Sequence, residues 1–202
     1  WNGVNQVSVR FSEDVSLAAG SLRLLNSANQ DVALAAVNPF SYNSTTFTAT
    51  WNLAAPLGRN RYLIALDASS ITDANSAALD GEWINGTSTF ATSGDGTPGG
   101  NFYFLFNILP GEVNGNVDVS GLDRIQVQAA VGAAPGDARY NYRYDINGDA
   151  QISGLDRILV RAVVGTGLTG VPDPSIPPPP LSPPLAAPTS REVGELLSVT
   201  TI

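Results

Sequence analysis

The stretch Asp145-Ile-Asn-Gly-Asp-Ala-Gln-Ile-Ser-Gly-Leu-Asp156 places an oxygen-bearing side chain at every odd position from 145 to 153 and closes on a carboxylate at 156. That is the spacing of a twelve-residue calcium loop. A coiled loop turns alternate side chains inward, position 7 offers its backbone carbonyl, position 9 acts through water, and position 12 closes the shell from the first turn of a helix. Asp145, Asn147, Asp149, Gln151, Ser153 and Asp156 fill positions 1, 3, 5, 7, 9 and 12. The helix that follows carries Leu155, Ile158, Leu159 and Ala162 at helical spacing.

The same unit occurs once more, 33 residues earlier. From Val119 against Ile152 onward, ten of fourteen positions are identical, and Ser-Gly-Leu-Asp-Arg-Ile stands at 120–125 and again at 153–158. Such a repeat marks two copies of one supersecondary unit. The first copy offers Glu112, Asn114, Asn116, the carbonyl of Asp118, Ser120 and Asp123. It has fewer side-chain carboxylates and a longer side chain at position 1, which predicts weaker binding. Position 6 is usually Gly for a sharp turn; here it is Val117 and Ala150, which predicts strain in both turns. The expected cofactor is therefore Ca2+ at two unequal sites.

Outward from the loops, residues 1–93 alternate with a period of two. Val7, Val9 and Phe11, then Leu22 and Leu24, then Phe47, Ala49, Trp51 and Leu53 are each separated by polar residues, and Tyr62, Ile64 and Leu66 repeat the spacing. Turn-forming clusters interrupt the runs at 26–29, 43–45, 56–60 and 73–76. This pattern predicts an antiparallel β-sandwich. A glycine-rich joint at 94–101 leads to the aromatic run Phe102 to Phe106, the last strand or the seam between domains. Asp73, Asn75 and Asp80 could hold a third calcium, although a plain turn explains them more simply.

Composition narrows the chemistry. Of 202 residues 43% are hydrophobic and 14% charged, with net charge −8; all ten basic residues are Arg, and His, Cys and Met are absent. An acidic chain without basic clusters suits a cation and not nucleic acid or an anionic membrane. Without imidazole, thiolate or lysine amine, the usual bases, nucleophiles and zinc ligands are missing. The expectation is a non-catalytic protein without a membrane span.

At the paired loops the chain resembles a dockerin, the two-loop module of cellulosomes, in which Asp at position 12 is common. The runs Val7-Ser-Val-Arg-Phe-Ser-Glu-Asp-Val15, Leu79-Asp-Gly81 and Gly94-Asp-Gly-Thr-Pro-Gly-Gly-Asn101 are similar to modules of large secreted planctomycete proteins. The resemblance covers about residues 4–166 and implies an immunoglobulin-like or cadherin-like sandwich over 1–108, then a small α-helical dockerin-like domain over 109–168. It also implies an extracellular or cell-surface location. In dockerins, positions 10 and 11 help to contact cohesin; here they are Gly121–Leu122 and Gly154–Leu155, and both leucines fit a helix core equally well.

The rest is a Pro-rich linker over 169–190 and a strand-like tail over 191–202. Nine of the fourteen prolines fall within 172–188, and a polyproline II run of that length spans roughly 50 Å. Val193, Leu196, Leu197, Val199 and Ile202 then form an apolar, β-prone end, the composition a donated strand requires. Three functions are compatible with this layout, and the apolar, β-prone end after a stiff spacer favours the first of them. They are a filament or surface-assembly subunit joined to a neighbouring copy by its tail, a docking module for a cohesin-like partner, and a carbohydrate-binding fragment of a secreted enzyme.

Overall fold

The computed structural model describes residues 3–84 and 93–177. In chain order the strands are β1 (Gln6–Arg10), β2 (Val15–Ser16), β3 (Leu22–Asn26), β4 (Phe40–Asn43), β5 (Thr48–Asn52), β6 (Asn60–Leu66), β7 (Thr72–Asp73), β8 (Trp83–Ile84) and β9 (Phe102–Ile108). Two helices follow, α1 (Gly121–Ala130) and α2 (Gly154–Val163). The protein is thus mainly β, and its strand pairs are antiparallel apart from the short β8–β9 pair.

β2 pairs with β7 in a short ribbon of its own, and the two larger sheets have the orders β1-β5-β4 and β3-β6-β9-β8. Their facing side chains share a single core: Val7, Ala49 and Trp51 from the first sheet meet Leu22, Leu24, Tyr62, Leu66 and Ile108 from the second. That is the layered arrangement the alternation predicts, because period-two side chains put all apolar residues of a strand on one face. Trp51 is completely buried between Val7 and Phe40 in the register, and its indole N–H donates to the Ala19 carbonyl at 2.9 Å. A buried indole without that acceptor would forfeit the donor's water bond with nothing in return.

β6 departs from simple alternation. Tyr62 and Leu66 face the core, yet Leu63 and Ala65 on the opposite face are buried as well. It is a central strand between β3 and β9, and its run Tyr-Leu-Ile-Ala-Leu is apolar throughout.

A second core gathers Leu109, Val113, Val119, Val127, Ala130, Ala133, Ile146, Ile152, Val160 and Leu168. Ile108 belongs to the first core and Leu109 to the second, so β9 passes from one to the other without a spacer. The linker predicted over 169–190 starts as held chain. Leu168 is buried, Thr169 donates to Asp118 at 2.7 Å, Asp173 pairs with Arg61 of β6 at 2.9 Å, and the Ser175 N–H donates to Asn29 at 2.6 Å. Pro174, between those two anchors, is buried. The tail residues Val193, Leu196, Leu197, Val199 and Ile202 lie outside the described residues.

Replacing Trp51 with Ala should cost about 3–5 kcal/mol, the usual penalty for emptying a large aromatic site. The shift of the urea midpoint at constant slope measures it, and a loss under about 1 kcal/mol would show that Trp51 does not anchor the core.

Candidate functional site

The two loops are built alike. Position 12 is the keystone in each. Asp156 is fully buried: one carboxylate oxygen accepts from the Ile146 and Asn147 N–H groups at 2.8 and 3.3 Å, the other from the Ser153 N–H and hydroxyl at 2.8 and 3.0 Å. Asp123, also fully buried, accepts from the Val113 N–H at 3.0 Å and from both Ser120 donors at 2.8 and 3.0 Å. Ser120 and Ser153 in turn accept from the N–H of Leu122 and Leu155, closing a reciprocal cap on each helix. Burial pushes the Asp156 carboxyl up, but the hydrogen bonds it accepts outweigh this and hold it below the ordinary aspartate value. Its contribution to stability is therefore complete above that ordinary value and is lost as pH falls through the lower, folded one.

Position 1 wraps the first turn. Asp145 accepts from the N–H groups of Gly148, Asp149 and Ala150 at 2.8, 3.1 and 2.8 Å, and from the Tyr140 hydroxyl at 3.2 Å. Glu112 accepts from Gly115 and Asn116. Positions 3 and 5 accept from the N–H two residues on: Asn114 from Asn116, Asn116 from Asp118, Asn147 from Asp149, and Asp149 from Gln151. These bonds coil both segments. Val117 and Ala150, at position 6, lie in the left-handed region at φ 63° and 64°, the turn for which Gly is usual.

The copies interlock reciprocally. Val119, at position 8 of the first loop, exchanges backbone bonds with Thr166 and Gly165 beyond α2, both at 2.8 Å. Ile152, its counterpart, exchanges them with Ala133 and Gly132 beyond α1 at 2.9 and 2.7 Å. Each copy therefore completes the other, which is why one alone could not form this core.

The helix faces differ from the sequence expectation. Leu155 and Ile158 are 50% and 57% exposed, and Ala162 is exposed too, while Leu159 is half-buried. The buried stripe is Asp156 and Val160, matched in α1 by Asp123, Val127 and Ala130. Because Asp156 must point inward to hold the loop, residues one position before and two after it are turned outward. α1 repeats this, with Leu122 63% and Ile125 57% exposed. Of the two readings of Leu122 and Leu155, the core reading is ruled out.

In loop two, Asp145 and Asp156 are buried, whereas Asn147, Asp149 and Gln151 are exposed and Ser153 is half-buried. The Asp118 side chain is taken by Thr169, which leaves its carbonyl as the oxygen for position 7. The predicted ligands of each loop are therefore brought to one coil, although the three carboxylates of loop two do not gather within 4.8 Å of one another.

Among the described residues, the one group of three carboxylates that do lie within 4.8 Å is Asp80, Glu82 and Asp95. Asp73 and Asn75 take no part: Asp73 accepts from the N–H groups of Asn75 and Ala77 at 2.9 and 2.7 Å and caps its own turn. Glu82 and Asp95 went unremarked in the sequence as acidic groups, although Glu82 directly follows the run Leu79-Asp-Gly81 and Asp95 lies within the run 94–101. Burial first, then the neighbouring carboxylates, raises the Glu82 carboxyl above its ordinary value. No helix among the described residues is long and apolar enough to cross a membrane.

No protein-family model matches this chain, and no curated protein matches it. Two solved structures similar to it are mutants of the type II cohesin–X-dockerin complex from Acetivibrio cellulolyticus, altered at the N-terminal and C-terminal interface respectively. Each matched chain is 16% identical, with 82% of this chain and 99% of that chain covered, at a TM-score of 0.28. A likeness that slight carries neither fold nor function.

Ala150→Gly should stabilise the second core by about 0.5–1 kcal/mol, since relief of left-handed strain outweighs the added freedom of the unfolded chain. Chemical denaturation monitored through this region checks it, and a loss of stability would mean that Ala150 is not strained.

Proposed function

We propose that this chain is a non-catalytic, calcium-stabilised docking protein of secreted assemblies, with a dockerin-like module over 109–168 carried on an immunoglobulin-like sandwich over 1–108. The observation that carries the reading is the repeat-related apolar set Leu122, Ile125, Leu155 and Ile158, which the two helices leave in solvent. Four large aliphatic side chains at equivalent places on paired helices are costly to leave wet, and a partner covering them recovers about 1.5–3 kcal/mol for each one fully buried. The partner is a cohesin-like sandwich whose contact face is apolar, since Gly121 and Gly154 supply no hydroxyl at position 10.

Calcium would be held by Asp145, Asn147, Asp149, the Gln151 carbonyl, Ser153 and Asp156 in loop two. In loop one the ligands are Glu112, Asn114, Asn116, the Asp118 carbonyl, Ser120 and Asp123. The ion adds oxygen ligation that ties position 1 to position 12; the coil, its caps and the buried aspartates are the chain's own. Loop two, with three side-chain carboxylates, binds more tightly.

Thermal unfolding of the second core should move upward with calcium and back with chelator, by about 2.7 kcal/mol of stabilisation at a hundredfold excess over Kd. Asp156→Ala should lose more of that gain than Asp123→Ala; equal or reversed losses would overturn the ranking, and an unchanged melt would remove calcium from the reading. For docking, titration calorimetry against purified cohesin domains should give calcium-dependent binding that Leu122→Asp with Leu155→Asp abolishes. Binding that survives the double substitution would place the interface elsewhere.

A second reading, the filament subunit, is favoured by open sheet edges: among the described residues β1 and β4 each pair only with β5. Unpaired strands of this kind accept an added strand, and the predicted donor is the 191–202 tail of a neighbouring copy. Deleting residues 189–202 should abolish polymers seen by light scattering; a monomeric intact chain would end this reading.

A further inference from the structure

The two larger sheets stand open along the side where β1 faces β9. β1 pairs only with β5, so among the described residues its other edge has no strand beside it. Val7 and Val9 of β1 and Phe11 just beyond it turn toward the core, as do Phe102 and Phe106 of β9. Phe104 stands between those two on the same face, opposite Ile64 in the register, yet it is 38% exposed. A core-facing phenyl ring left in water marks a face that awaits a covering element.

The open side is a groove. A cleft of about 770 Å³ is lined by Val9, Phe11 and Phe102, and another of about 450 Å³ by Val7, Phe104 and Phe106. Successive residues of the same two strands line both, so the clefts follow one another along the length of β1. One wall is an aromatic ladder: Phe102 and Phe104 stack with ring centres 6.4 Å apart, and Phe104 and Phe106 at 6.2 Å. The groove thus offers a free backbone edge beside an apolar trough, the two things an added strand uses.

We propose that this groove accepts residues 191–202 of a neighbouring copy as a strand antiparallel to β1. The inference rests on the filament reading and names its acceptor, the β1 side and not the β4 edge. Val193, Leu197 and Val199 share one face of an extended segment. With Val199 opposite Val7 and Leu197 opposite Val9, both side chains enter the trough beside the aromatic ladder. In the same register Glu195 comes opposite Phe11, at the end where Arg10 lines the cleft. Arg10 is exposed and takes part in none of the ion pairs among the described residues, so the two charges are complementary there. Residues 178–202 lie outside the described chain, and a Pro-rich spacer spanning roughly 50 Å carries its end beyond its own subunit.

The chain has no cysteine, so two introduced ones report on this contact alone. Full-length Gln6→Cys and full-length Thr200→Cys chains, mixed under mild oxidation, should give a disulfide-linked heterodimer in excess of either homodimer. Residues 6 and 200 are directly opposite in the proposed register, within disulfide reach. A full-length Ser41→Cys chain, altered on β4, should not link to Thr200→Cys. Absence of the Gln6 link would overturn the proposal; if Ser41 links instead, the filament reading survives it, and a parent chain that stays monomeric ends both. Phe104→Ser should raise the protein concentration needed for polymers by roughly tenfold or more, the worth of burying one large apolar side chain. A folded Phe104→Ser chain that polymerises at the parent's concentration would also overturn the proposal.

Discussion

Two buried aspartates organise the C-terminal half of this protein. Asp123 and Asp156 are both fully buried, and each uses two oxygens to join the start of its loop to the first turn of its helix. A carboxylate in such a place is tolerable only because backbone N–H groups and a serine hydroxyl replace its water. The roll of α1 and α2 follows from it. With the aspartate inward, Val127 and Val160 enter the core one turn later, and the larger Leu122, Ile125, Leu155 and Ile158 are carried to the outside. An apolar surface is thus a by-product of satisfying a charge, and that surface supports a docking role better than any other feature.

The two cores are closely joined. Neighbouring residues Ile108 and Leu109 sit in different cores, so β9 acts as a rigid lead into the loops. At the far end the chain returns: Arg61 of β6 meets Asp173, Asn29 meets Ser175, and Pro174 is buried between them. An exposed ion pair contributes little by itself. Here the pair is one of several contacts in sequence, starting with Leu168 in the second core and Thr169 on Asp118. The first residues after the repeat therefore behave as a strap across the sandwich.

Much of this was legible beforehand because it is local. Alternation at 47–53 and 62–66 put Trp51, Tyr62 and Leu66 in the sandwich core, since a pleated strand has only two faces. The 33-residue repeat located both coiled loops, and the absence of Gly at position 6 marked the left-handed Val117 and Ala150. The reading of Leu155, Ile158 and Ala162 as an apolar helix stripe misled as to burial. Hydrophobic spacing shows that a helix has a face, but here an aspartate three residues into the repeat core decided which way it looks.

What the sequence determined by itself, then, was the period of each segment, the duplication of the loop, and the chemistry that its missing His, Cys and Lys put out of reach. Those properties reside in spacings of two to twelve residues or in composition. Tertiary structure alone decided the outward face of the helices, the reciprocal pairing of Val119 and Ile152 with the ends of the opposite helices, and the meeting of Asp80 and Glu82 with Asp95. Each of these depends on backbone segments far apart in the chain finding hydrogen-bond partners in one another. A contact of that kind leaves no period to read; it is set by which buried polar groups must be satisfied, and by what.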